Sequence, residues 1–274
     1  MEKLIEKYYR PRLPHIWCPG CGNGIVTGSI IKAIDKLGLE QDKTVIVSGI
    51  GCSSRASGYL NFDTVHSLHG RALPVATGIK LANPELNVIV ITGDGDGTAI
   101  GGNHFIHAAR RNINVSVILF NNNIYGMTGG QYSPLTPVDS KATTAPYGTL
   151  ERAFDITELA KAAGATYVAR GTAFQSKLLV DLIAQGISHD GFSLIEAVTQ
   201  CPIYFGRQNK KGDASQMLKM QRDYAVTVEA AQKMTPEQLE GKFKIGVLHK
   251  SEAPEYTKQY QLLIDRAQKG AKSI

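Results

Sequence analysis

Residues 87–130 read NVIVITGDGDGTAIGGNHFIHAARRNINVSVILFNNNIYGMTGG, and the fold class follows from them. Val88–Thr92 is a short apolar run rich in β-branched residues, which suits a buried strand. Gly93–Gly97 is a run of glycines and acids, Gly101–Arg111 reads as a helix, and Val115–Phe120 is a second apolar run stopped by Asn121, Asn122 and Asn123. Strand, tight turn, helix, strand is how parallel sheets are built. In a right-handed crossover the two polar turns, GDGDG and NNN, emerge along the same carboxyl edge of the sheet.

Residue types say what that edge can hold. Glycines let the backbone approach an anion with its N–H groups free, and the start of the following helix adds partial positive charge. Asp94 or Asp96 and an asparagine carbonyl are hard oxygen donors, suited to magnesium, which prefers a few protein oxygens together with phosphate oxygens and water. The pattern asks for a magnesium diphosphate.

On either side the same alternation continues. Gly24–Leu37 carries Ile25, Val26, Ile30, Ile31, Ile34 and Leu37 at helical spacing, and Gly38 can end it. Val45–Ser48 reads as a strand running into Gly49, Ile50, Gly51, Cys52, Ser53, Ser54 and Arg55, a second candidate site at the carboxyl edge. The piece VHSLHGRALP (65–74) precedes a helix over Val75–Ala82. Residues 128–146 form a long loop rich in Gly, Pro, Ser and Thr, of the length that serves as a lid or a partner contact. Helix over Ile156–Ala163, strand over Thr166–Ala169, helix over Phe174–Ile187 and strand over Phe192–Val198 complete the pattern. The expected fold is α/β, a doubly wound, mostly parallel sheet with helices on both faces. Residues 1–205 form the core domain and 206–274 a C-terminal extension, packed on the core or on a partner, with weak helices at Ser215–Lys233 and Tyr256–Lys269.

Composition narrows the function classes. A chain of 274 residues with 43% hydrophobic and 20% charged residues can bury a sizeable core. No apolar run approaches the roughly 20 residues of a membrane helix, and the start, MEKLIEKYYRPRLP, is too charged for a secretory signal. The expectation is therefore a cytoplasmic protein with no membrane contact. The net charge of +6 is spread along the chain with no interleaved aromatic and basic motif, so nucleic acid is not expected. The one small basic cluster, Arg207, Lys210 and Lys211, suits a solvated surface or an acidic partner protein.

Cys18, Cys21, Cys52 and Cys201 are the only cysteines. The first two form a Cys-Pro-Gly-Cys pair, and the other two each follow a strand at the edge that carries GDGDG and NNN. In a reducing compartment disulfides are unfavoured, and a four-thiolate metal site is the natural reading. Spacing alone leaves zinc and an iron-sulfur cluster open, because both accept four thiolates.

GDG followed a little under thirty residues later by NN, each ending a strand, resembles the thiamine diphosphate motif. The resemblance implies magnesium held by the side chains of Asp94 and Asn122 and the backbone carbonyl of Ile124, with Gly95, Asp96, Gly126 and Met127 against the diphosphate. His69 in HGR resembles a histidine that faces the cofactor and is the catalytic candidate; Ile50, Gly51, Cys52 and Ser53 complete the cofactor site. WCPGCGNG, SGIGCSSR, HGRALPVATGIKLANP, the GDGDG to NNN unit and YGMTGGQYSP together resemble the β subunit of 2-oxoacid:ferredoxin oxidoreductases, over most of residues 15–205.

That resemblance implies one 4Fe-4S cluster on the four cysteines beside thiamine diphosphate, oxidative decarboxylation of a 2-oxoacid with coenzyme A taking the acyl group, and ferredoxin taking the electrons. TGGQ after Tyr125-Gly126-Met127 resembles members acting on 2-oxoglutarate, relatives of broader range often having lysine where this chain has Gly129. It also implies an α subunit, with or without a γ domain or subunit, to hold the aminopyrimidine half of the coenzyme. The alternatives are the same chemistry on pyruvate or a broad range of 2-oxoacids, and a thiamine-dependent decarboxylase subunit without electron transfer.

Overall fold

The computed structural model describes residues 2–11 and 13–271; Met1, Arg12 and the last three residues of the 206–274 extension lie outside them. Eight strands form one sheet: β1 (Thr44–Ser48), β2 (Asp63–His66), β3 (Asn87–Gly93), β4 (Ser116–Asn121), β5 (Tyr167–Thr172), β6 (Ser193–Val198), β7 (Ala225–Thr227) and β8 (Phe243–Lys250). Their order is β2-β1-β3-β4-β6-β5-β8-β7, and every pairing is parallel except that of β5 with β8.

The main helices are α1 (Glu2–Tyr8), α2 (Asn23–Lys36), α3 (Ala56–Tyr59), α4 (Ala72–Ala82), α5 (Gly102–Arg111), α6 (Ile156–Ala162), α7 (Ser176–Ile187) and α8 (Ala214–Tyr224), with a further long helix over Tyr256–Ala271, where the sequence reading expected one. Central strands are covered on both faces, so they read as continuous apolar runs whose successive side chains go to opposite layers. Val45, Val47, Val88, Val90, Val117 and Leu119 face Leu73 and Ala76 of α4, Phe105 and Ala108 of α5, and Ile156 and Ala160 of α6. Ile46, Ile89, Ile91, Ile118 and Phe120 face Val26, Ile30 and Ile34 of α2 and Leu179 and Ile183 of α7. The doubly wound architecture expected from the sequence is the observed one.

Chain direction in the sheet reverses between β1 and β3: the first crossover runs outward to β2, the next comes back past β1 to β3 and on to β4. A crevice opens outside the carboxyl ends of strands at such a switch point. The turns after β1, β3 and β4 all lead into it.

Several elements depart from the sequence reading. The helix expected over Val75–Ala82 begins at Ala72 and takes Pro74 into its first turn, where a missing N–H costs nothing. The acidic glycine turn is itself helical, with Asp96–Ile100 wound as one wide turn closed by Gly101 N–H donating to the Asp96 carbonyl at 3.1 Å. Within 206–274, Phe243–Lys250 joins the sheet against β5, a strand that the sequence pattern did not announce.

Candidate active site at the carboxyl edge

The turns after β1, β3 and β4, with the Leu68–Gly70 turn after β2, enclose a cleft of about 630 Å³ counted to its open mouth. Ile50, Gly51, Cys52, Ser53, His69, Asp94, Gly95, Asp96, Asn122, Ile124, Gly126 and Met127 all line it. Every residue that the sequence reading gave to thiamine, diphosphate or magnesium is therefore brought together in one place.

Asp96 organises the floor. Its carboxylate accepts from the backbone N–H of Ile50 (3.1 Å) and of Gly70 (2.7 Å), from the Thr92 hydroxyl (2.6 Å) and from His69 Nδ1 (2.7 Å). One buried side chain thus ties the turns after β1, β2 and β3 to each other. A Cβ at Gly49 would collide with that carboxylate, which accounts for the glycine there. An ionised carboxylate only accepts, so it fixes His69 as the Nδ1–H tautomer and leaves Nε2 with its lone pair.

Asp94 is buried, and burial pushes its carboxyl up to about 7 even though the Ser133 hydroxyl (2.7 Å) and the amides of Gly95 and Ile124 favour the ionised form. A carboxylate so buried, with no described cationic side chain paired to it, is suited to ligate a cation. Asn122 lines the same cleft, and its Oδ1 accepts from Ile124 N–H at 3.2 Å, folding the NNN turn so that Ile124 lines it too. Beneath, Asn121 Nδ2 donates to Glu196 on β6 (2.7 Å). The donor set, one carboxylate, one amide oxygen and one carbonyl, fits magnesium with room for phosphate oxygens.

Tyr125 lies over Gly95, where a Cβ would collide with its ring, and its hydroxyl donates to the Gly95 carbonyl at 2.9 Å. Burial, with Asp94 and Asp96 nearby, pushes that hydroxyl up to about 12, so it stays a donor. Its ring meets the His69 ring edge-on at 6.0 Å. Gly129, at φ +113°, and Gly130, at φ +92°, turn the chain back so that Gly130 N–H donates to the Tyr125 carbonyl (2.9 Å). Sequence reasoning missed Thr92, Tyr125 and Ser133. Only the flag on the 128–146 loop as functional pointed toward the last of them.

The four cysteines converge on the same edge. Gly22 N–H donates to the Gln200 carbonyl (3.2 Å) and Gln200 Nε2 to the Gly20 carbonyl (3.1 Å), joining the Cys18–Cys21 loop to the turn that carries Cys201. Trp17 Nε1 donates to the Cys52 carbonyl at 2.7 Å, joining it to the turn after β1. All four thiols are free. Burial, then the charges of Cys201, Cys52 and Cys18, pushes Cys21 up to about 12; burial, then Cys201, Cys18 and Asp94, pushes Cys52 up to about 11. Thiols that resist ionisation and repel each other once ionised are the donor set that a multiply charged metal group neutralises. A Cβ on Gly126 would lie 3.3 Å from Cys52 Sγ and 3.7 Å from Cys201 Sγ, so Gly126 and Cys52 form a wall between the thiols and the cleft.

Residues 49–197 match the family described as thiamine pyrophosphate enzyme, C-terminal TPP binding domain. The chain is 54% identical over 255 residues to the 2-oxoglutarate synthase subunit KorB of Methanothermobacter marburgensis, covering 93% of this chain and 90% of that one. It is 51% identical to the subunit of the same name from Methanocaldococcus jannaschii, over 97% and 98% of the two chains. The chain belongs to the β-subunit family of 2-oxoacid:ferredoxin oxidoreductases. A solved structure of 2-oxoglutarate:ferredoxin oxidoreductase from Magnetococcus marinus, with 2-oxoglutarate, coenzyme A and succinyl-CoA bound, superposes with a TM-score of 0.87 at 34% identity, over 96% of this chain and 90% of that one. As a β subunit of this family the chain carries a thiamine diphosphate-binding domain and works with an α subunit. No helix among the described residues is long and apolar enough to cross a membrane.

Proposed function

We propose that this β subunit oxidatively decarboxylates 2-oxoglutarate: 2-oxoglutarate and coenzyme A give succinyl-CoA and carbon dioxide, and two electrons leave singly through a 4Fe-4S cluster to ferredoxin. The observation that carries the reading is the shared wall, with two of the four sulfurs against Gly126 on one side and the cleft on the other.

Asp94 and Asn122 side-chain oxygens and the Ile124 carbonyl hold magnesium, while Gly95, Gly126 and Met127 let the backbone close on the diphosphate. Asp96, its carboxylate committed to the protein, contributes through the turns it anchors. The chemistry the coenzyme supplies when bound is stabilisation of the negative charge left as carbon dioxide departs. His69, oriented by Asp96, presents Nε2 to take or return a proton at the substrate. Gly129 supports 2-oxoglutarate as substrate, as do the names of the relatives.

Cys18, Cys21, Cys52 and Cys201 hold the cluster. Arg207, Lys210 and Lys211 are exposed, take part in no described ion pair, and lie on the segment that runs from the Cys201 turn to Ala214, which touches Gly20. A basic surface beside the cluster loop suits an acidic ferredoxin. Ile50, Leu68 and Met127 leave apolar surface exposed around the cleft, in keeping with an α subunit closing over it.

The test is the anaerobically purified αβ complex. Iron, sulfide, thiamine and magnesium should be present, and a panel of 2-oxoacids with coenzyme A and a viologen dye should favour 2-oxoglutarate. A colourless complex containing zinc, or carbon dioxide release with no dye reduction, contradicts the proposal.

A further inference from the structure

Six buried side-chain nitrogen and oxygen atoms among the described residues have no hydrogen-bond partner: Nδ2 and Oδ1 of Asn23, Oγ of Ser54, Nε of Arg55, Oγ of Ser193 and Oγ1 of Thr199. A buried orphan is costly, so folded proteins keep few, and each asks for an explanation. Here they are not scattered. Asn23 follows Cys21 by two positions, Ser54 and Arg55 follow Cys52 by two and three, and Thr199 precedes Cys201 by two. Only Ser193 lies away from a cysteine.

The local folds explain why these side chains stay close to the thiols. Asn23 opens α2, is fully buried, and its N–H favours the ionised Cys21 thiol. Thr199 Oγ1 packs on Gly22, where a Cβ would collide with it, inside the loop-to-loop contact that joins Cys21 to Cys201. Ser54 and Arg55 lie in the short helical turn that leaves Cys52, and the Arg55 guanidinium sits over the Tyr59 ring at 5.6 Å. Four donors on three separate segments thus lie within three residues of a cysteine, and the described residues offer them no acceptor.

We propose that Asn23, Ser54, Arg55 and Thr199 set the reduction potential of the cluster by donating hydrogen bonds to its sulfurs. This rests on the cluster assigned above. Accepting an electron adds negative charge to the sulfurs, so donors and a guanidinium aimed at them stabilise the reduced form and raise the potential. The sulfurs satisfy the Asn23 amide nitrogen and leave its carbonyl oxygen unanswered. None of the four ligates iron or touches substrate.

The experiment is an EPR-monitored redox titration of the anaerobic αβ complex, wild type against Thr199→Val, Thr199→Ser and Ser54→Ala. Thr199→Val keeps shape and removes the donor. With the solution poised where wild type is half reduced, the ratio of reduced to oxidised cluster should fall about tenfold in Thr199→Val, a shift of about 59 mV for one electron. Ser54→Ala should shift in the same direction, and Thr199→Ser should titrate like wild type. Unchanged midpoints at full iron content overturn the inference and leave the cluster standing. A wild-type complex with zinc in place of iron and sulfide overturns the cluster, and the inference with it. Should Thr199→Val fail to fold, Ser54→Ala, which removes a single oxygen, decides between these outcomes.

Discussion

Replacing Asp96 with asparagine probes how the cleft is set. Four donors converge on this carboxylate: two backbone N–H groups, a hydroxyl and His69 Nδ1. The substituted amide would keep the shape, with its oxygen in the Oδ1 place that faces Ile50, Gly70 and His69 and its NH2 in the Oδ2 place, facing a Thr92 hydroxyl that can turn to accept. The charge is lost while the His69 Nδ1–H tautomer is kept. Hydrogen bonds to a charged group are each worth about 1.5–3 kcal/mol, and about 1.4 kcal/mol is tenfold in rate. Neutralising the partner of His69 forfeits about half of that energy, which predicts a fall of about threefold to about tenfold in kcat/KM for 2-oxoglutarate with a dye acceptor. Nitrogen NMR of labelled histidine should show the His69 proton still on Nδ1. If the two residues act as a unit, adding Asp96→Asn to His69→Ala lowers the rate little further. An Asp96→Asn enzyme with unchanged kcat/KM, or one whose His69 proton has moved to Nε2, refutes this account of how Asp96 sets His69.

Other outcomes follow from the same geometry. Gly126→Ala puts a methyl 3.3 Å from Cys52 Sγ, an overpacking of about 1 kcal/mol; it should loosen the cluster, read as faster iron loss to a chelator, with thiamine diphosphate affinity changed less. Asp94, raised from 3.8 to about 7 by burial, can ligate a cation only when ionised. Apparent magnesium affinity should be full above that value and fall by up to tenfold per unit below it, measured by calorimetry at about pH 6 and about pH 8; a flat profile contradicts the assignment. Gly129→Ala meets no neighbour but must adopt φ near +113°. It should cost about 1–2 kcal/mol, lowering Tm by roughly 2–8 °C in a scanning measurement.

The β3–α5–β4 unit was legible in the sequence because its pattern is local: two apolar runs, each buried on both faces, with turn residues at their ends. β2 (DTVH) was not legible, being four half-exposed residues that gain their identity only by pairing with β1. β8 carries Phe243, Ile245 and Val247 in alternation, but Gly246 at φ +116° and the register shift opposite Val168 and Ala169 break the pattern. The site divides in the same way. Glycines, acids and cysteines announced the cleft because they gather just past several expected strands, whereas Ser133 meets Asp94 from 39 residues away and Tyr125 meets Gly95 from 30. A serine or tyrosine in a loop carries no mark of such a contact. Asp96 was read toward the diphosphate from its place in the motif; that its carboxylate is taken up by three turns of the protein is knowable only once those turns are folded.

The shared wall between thiols and cleft is tested most directly by mixing oxidised αβ complex with 2-oxoglutarate, without ferredoxin, in a freeze-quench EPR experiment. A reduced 4Fe-4S signal should grow in within the first turnover, in wild type and not in Cys52→Ser. Carbon dioxide release in wild type while the cluster stays oxidised would contradict electron transfer across that wall.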